Sequence, residues 1–182
     1  MTQKMLFTLV TAVAMTGLAH AHGEKPHAPR TGPVVKEQTA WGIAAEAKDA
    51  TRTLEVVMTD DMRFTPGKVS FKEGETVRIV VKNAGKMMHE LVIGDPESLA
   101  EHAEMMVKFP NMEHDEPYMA HVPPGESAEI VWTFNRSGEF EFACLLPGHY
   151  EAGMKAAVAV GGASLAEGSS GKAASHGSGH RH

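Results

Sequence analysis

Between about residues 53 and 160, apolar side chains recur at every second position. Leu54, Val56 and Met58 form one such run. Val77, Ile79 and Val81 alternate with Arg78 and Lys82, and His89, Leu91 and Ile93 share a phase. Further on, Ile130, Trp132 and Phe134 alternate with Glu129 and Thr133. Phe140, Phe142 and Cys144 alternate with Glu139 and Glu141, and Ala156, Val158 and Val160 close the series. A period of two places alternate side chains on one face of a strand. Turn formers such as Pro66-Gly67 and Pro124-Gly125 separate the runs, so the pattern predicts an all-β sandwich. One stretch breaks the alternation. Asp95-Pro96-Glu97 reads as a helix start, with Asp as N-cap and Pro at the first helical position. Leu99, Ala103, Met106 and Val107 then make an apolar stripe, and Pro110 stops it. The expectation is one short helical insertion, at about residues 95–122.

The flanks read differently. Lys4, an apolar run from Met5 to Leu18, and Ala19-His20-Ala21 have the layout of a secretory signal cleaved after Ala21. The run is shorter than the roughly 20 residues that span a bilayer, which excludes stable membrane insertion there. Residues 22–52, with His22, Pro26, His27, Pro29 and Pro33, predict a flexible arm, and the sandwich domain is expected over 53–160. Residues 161–182 are rich in Gly, Ser, Ala and His and predict a disordered tail. Losing residues 1–21 removes Lys4 and no acid, so the formal charge moves from −6 to −7. An acidic surface argues against nucleic acid as a partner.

The chain has one cysteine, Cys144, so an exported form has no internal disulfide. Its thiol could pair between molecules, lie inert in the core or ligate a metal, and its neighbours favour the last. Cys144 is followed by His149 and Met154, a Cys-x4-His-x4-Met loop in which Pro147 and Gly148 can turn the chain. His89 sits at the end of another strand, on the face shared by Leu91 and Ile93. Two imidazoles and a thiolate form a trigonal plane, and a thioether lies along its axis. That is the donor set of an electron-transfer copper site, whereas zinc seldom recruits Met.

At these residues the chain resembles the cupredoxin, or type 1 copper, family. The supporting segments are Met62-Arg63-Phe64-Thr65-Pro66, Asn83-Ala84-Gly85, Met88-His89-Glu90, and Phe140 through His149. The Cys-to-His spacing is more similar to that of auracyanin, rusticyanin and the phytocyanins than to that of plastocyanin. The chain looks most like bacterial periplasmic cupredoxins associated with copper tolerance, which share a Met- and His-bearing insertion. The resemblance implies a Greek-key β-sandwich and one copper ion held by His89, Cys144, His149 and Met154. Many members place Asn after the first ligand His, where its side chain helps order the cysteine loop; this chain has Glu90.

Met87, Met88, His102, Met105, Met106, Met112, His114, Met119 and His121 surround the first ligand and fill the insertion. They could bind additional Cu(I) or pack, with Met106 assigned to the core. His22 and His27, and the tail's His176, His180 and His182, are further candidates for copper capture. A copper ion with four filled positions leaves no open place for a substrate, so the chain reads as a binding protein, not an enzyme, and a monomer is expected. Two functions compete. One is copper tolerance through binding or redox handling of periplasmic copper. The other is electron transfer, with a redox partner docking near His149 beside Leu145, Leu146, Pro147 and Tyr150.

Overall fold

The alternating runs fold as strands of two facing sheets. The computed structural model describes residues 34–109 and 116–162. In chain order the strands are β1 (Gln38–Thr39), β2 (Gly42–Ala44), β3 (Arg52–Thr59), β4 (Arg63–Thr65), β5 (Lys68–Phe71), β6 (Glu75–Asn83) and β7 (His89–Gly94). After the helix α1 (Pro96–Lys108) come β8 (Met119–Val122), β9 (Ser127–Phe134), β10 (Gly138–Ala143) and β11 (Lys155–Val160). One sheet runs β1-β2-β9-β6-β3-β4 and the other β5-β11-β10-β7-β8. β3 and β6, and β5 and β11, pair in parallel; the other pairs are antiparallel. Non-consecutive neighbours in both sheets give the crossed-over sandwich that the resemblance implied.

The core is built from the predicted phases. Val56, Met58, Val77, Ile79, Val81, Ile130, Trp132 and Phe134 of one sheet meet Leu91, Ile93, Phe140, Phe142, Ala156 and Val158 of the other. Phe71 stacks on Phe134 with ring centroids 4.2 Å apart. β7 departs from simple alternation because all six of its residues are buried. Leu91 and Ile93 face the sandwich, while Val92 packs on the opposite side with Leu99, Met119, Ala143 and Leu145. The insertion therefore covers the outer face of its own sheet.

Asp95 caps α1 as expected, accepting a hydrogen bond from Ser98 N at 2.9 Å, with Pro96 in the first turn. The helix's buried residues are Leu99, His102 and Met106, and Val107 is 71% exposed. The expected stripe is thus rotated: His102 takes the inward place assigned to Val107. The insertion also ends in structure, since β8 pairs with β7 from Met119 to Val122.

The sandwich begins earlier than residue 53. Residues 38–44, expected in the flexible arm, form the β1–β2 hairpin, and β2 pairs with β9 at Ile43↔Thr133 and Ala44↔Trp132. Trp41 is buried, meets the Tyr118 ring edge-on at 5.2 Å, and accepts a hydrogen bond from Trp132 Nε1 on its carbonyl at 3.1 Å. Gly42 makes this approach feasible: with φ of 138° it is free of Cβ strain, and a Cβ there would overlap Thr133 O and Trp132 Nε1. The remainder of the arm (22–33), the signal segment (1–21) and the tail from 163 lie outside the described residues. No helix among the described residues is long and apolar enough to cross a membrane.

Trp41→Ala is expected to destabilise the protein by about 3 kcal/mol in urea unfolding, as for other buried aromatic truncations. A change within about 0.5 kcal/mol, the range of neutral surface substitutions, would mean that the hairpin is not part of the folded unit.

Candidate metal centre

Three loops meet at one end of the sandwich. β3 runs into the first, residues 60–62. The second, residues 84–88, leads into His89 at the start of β7. The third, residues 144–154, joins β10 to β11. The β7–β10 register pairs Phe142 with Ile93 and Ala143 with Val92. Cys144 therefore joins Phe142, Leu91 and Ile93 in the interior cluster, as the shared phases predict. His89, Cys144 and His149 come together, with one ligating atom of each lying within 4.8 Å of the others. His89 Nδ1 and His149 Nδ1 are 3.3 Å apart, and Cys144 Sγ is 3.3 Å from His149 Nδ1. Met154 is fully buried in the same cluster, and its backbone is tied to both neighbours: Cys144 N donates to Met154 O, and Met154 N donates to His149 O.

The electrostatics suit a soft cation. Burial pushes the Cys144 thiol up to about 12, against hydrogen bonds from the Glu90 and Leu146 amides that favour the thiolate. A bound metal deprotonates such a thiol. Burial, and then the proximity of His89, lower the His149 pKa, favouring the neutral ring that ligates metals. Two imidazole nitrogens and a buried sulfur at this spacing, with a methionine beside them, fit copper.

The residues that hold these groups were harder to foresee. Glu90 is fully buried and points away from the interior, towards the cysteine loop. Its Oε1 accepts from Leu145 N at 2.7 Å, and its own N–H points at Cys144 Sγ at 3.5 Å. Its Oε2 lies 2.9 Å from His121 Nε2 on β8. Glu90 thus ties the cysteine loop to β7, and also reaches the neighbouring strand. Asn83 fastens the second loop: its Nδ2 donates to Met87 O at 2.7 Å and Val122 O at 2.8 Å, and its Oδ1 accepts from Gly85 N. Asp60 carries no motif in the sequence. It accepts from His89 Nε2 at 3.1 Å and from the Lys86 and Met87 amides. Tyr150, beside His149, donates to Glu141 Oε2 at 2.7 Å and anchors the third loop to β10.

The secondary metal candidates disperse. Met106 and Met119 are buried, Met119 in the apolar cluster under α1, so both serve packing. Met87 and Met105 are exposed, and His102 is buried against the sheet. Met112, His114, His22, His27 and the tail histidines lie outside the described residues. Among the described residues, His89, Cys144 and His149 are the one group of three or more His, Cys, Asp or Glu side chains that converges.

Comparison with known proteins agrees with this geometry. The sequence profile of copper binding proteins of the plastocyanin/azurin family matches residues 51–161. The chain is 43% identical over 152 residues to the copper-resistant cuproprotein CopI of Rubrivivax gelatinosus, covering 84% of this chain and 90% of that protein. It is 39% identical over 144 residues to CopI of Pseudomonas aeruginosa, covering 63% and 79% respectively. Among solved structures, the reduced auracyanin of Roseiflexus castenholzii superposes with a TM-score of 0.53 at 22% identity, over 61% of this chain and 98% of that one. Auracyanin B gives 0.54 at 22% identity, over 65% and 94%. These structural likenesses show the fold.

Glu90→Ala leaves the buried Leu145 N–H without its acceptor and is expected to destabilise the metal-free protein by about 1–3 kcal/mol. Glu90→Gln keeps an oxygen at that place and is expected to lose clearly less. Urea unfolding of the two variants measures the difference; equal losses would contradict the role given to Oε1.

Proposed function

From the premise that this chain belongs to the plastocyanin/azurin family of copper-binding proteins, we propose that it is an exported protein that contributes to copper tolerance by binding periplasmic copper and managing its redox state. His89, Cys144 and His149 would hold the ion, with Met154 as a weaker fourth donor. The observation that carries this reading is the convergence of a buried thiol with two imidazoles within 4.8 Å, at the end of a rigid sandwich.

The bound ion supplies one-electron chemistry between Cu(I) and Cu(II). The protein's part is to hold a donor set acceptable to both states. Thiolate and thioether favour Cu(I), and imidazole suits both. The three loops are fixed by backbone and side-chain hydrogen bonds, so the donors need little rearrangement when the charge changes. This is binding and electron exchange without catalysis. Support for tolerance comes from the relatives named copper-resistant cuproproteins, which match most of the chain. Support for export comes from the signal-like residues 1–21.

Electron carriage to a reductase or oxidase is the second reading. It is favoured by the surroundings of His149: the ring is partly exposed, with Leu146 and Tyr150 half-buried and Pro147 and Gly148 exposed beside it. A docking partner would find an apolar rim next to a ligand there.

Cu(II) added to the metal-free protein is expected to give an intense visible thiolate-to-copper band that Cys144→Ser abolishes in a folded protein; a band surviving that substitution would refute the ligand set. Met154→Leu is expected to retain copper with a shifted potential, and complete loss of copper would contradict its place as the weaker donor. In the host, deletion of the gene is expected to sensitise cells to added copper while leaving respiration at low copper near normal. Complementation by wild type and not by Cys144→Ser supports the tolerance reading. Unchanged copper sensitivity together with an electron-transfer defect would establish the carrier reading instead.

A further inference from the structure

Asp60 lies 29 residues before His89 and on another strand's exit loop, yet its carboxylate is built into the approach to the metal centre. Oδ1 accepts hydrogen bonds from His89 Nε2 at 3.1 Å and the Met87 amide at 3.3 Å, and Oδ2 accepts one from the Lys86 amide at 2.8 Å. The position is reserved for this group: a Cβ at Gly85 would overlap Asp60 Oδ1. The His89 ring is fully buried, and its other nitrogen, Nδ1, faces His149 Nδ1 at 3.3 Å.

We propose that Asp60 is a positioning residue of the copper centre: it fixes the His89 tautomer so that Nδ1 is free for the metal, and it biases the bound ion toward Cu(II). The inference rests on the ligand assignment above. An ionised carboxylate accepts hydrogen bonds and donates none, so the shared proton belongs to Nε2. That leaves the Nδ1 lone pair pointing at the other donors. A carboxylate on the far side of a ligating imidazole raises its basicity. The added negative charge interacts twice as strongly with a divalent as with a monovalent ion at the same distance, so it favours the oxidised state. For a protein that handles toxic copper, such a bias helps to keep the captured ion cupric.

The test compares wild type, Asp60→Asn and Gly85→Ala, the last keeping the charge while displacing the carboxylate from Nε2. In the metal-free protein, ring nitrogen NMR is expected to show His89 purely as the Nε2–H tautomer in wild type and as a mixture in both variants. In the copper-loaded protein, Asp60→Asn is expected to lose about tenfold in Cu(II) relative to Cu(I) affinity, within the range for such outer partners, and Gly85→Ala, which keeps the charge, a smaller factor. The tenfold loss corresponds to a rise of about 59 mV in a one-electron potential. The Cys144-dependent visible band should persist. A pure Nε2–H tautomer in both variants, or a potential unchanged in both, overturns the proposal. Failure of the ligand assignment shows separately, as a wild-type copper band that survives Cys144→Ser.

Discussion

The antiparallel register of β7 against β10 is the constraint on which the centre depends. Phe142 lies opposite Ile93 and Ala143 opposite Val92. That pairing sends Leu91, Ile93, Phe142 and Cys144 into the sandwich while Val92, Ala143 and Leu145 turn towards α1. A slip of one residue would exchange the two faces and carry the thiol out of the interior. On β10 such a slip would also turn Glu139 and Glu141 inward and Phe140 and Phe142 outward. The hydrophobic core thereby enforces the position of a polar, reactive group.

Around that register, the polar side chains act as fasteners between loops remote in sequence. Asn83 ties the approach to His89 onto β8, Glu90 ties His89's strand to the cysteine loop, and Asp60 ties a third loop to the His89 ring. Asn83 and Glu90 satisfy backbone groups that would otherwise be buried without partners, which is costly in a low-dielectric interior. The same bonds limit how far the donors can move, and this links the packing to the redox role proposed above. A copper ion changing charge at this end of the sandwich would meet a frame set by the apoprotein's own hydrogen bonds.

Much of this was legible in the sequence because it follows from local periodicity. Val77-Ile79-Val81 and Ile130-Trp132-Phe134 declare their faces, and the Cys-x4-His-x4-Met loop declares its donors. The β1–β2 hairpin was not legible. Strands of two and three residues carry no period, and Trp41 is held by long-range contacts with Tyr118 and Trp132. The inward place of His102 is hidden from an apolar stripe of Leu99, Ala103, Met106 and Val107, because the residue is polar, although Leu99, His102 and Met106 have the helical spacing. Glu90 stood out as a departure, but its bond to Leu145 N needed the fold to be seen. Asp60 has no motif at all, because its contacts are made across a turn between distant strands.

The most direct test of the central claim is X-ray absorption at the copper edge of protein loaded with one equivalent of copper, measured in both oxidation states. The account predicts one short copper–sulfur and two copper–nitrogen scatterers in each state, with small changes in distance between them, as expected of a thiolate centre held by a preformed frame. A first shell of nitrogen and oxygen alone, or a shell that gains or loses its sulfur when the ion is reduced, would contradict it.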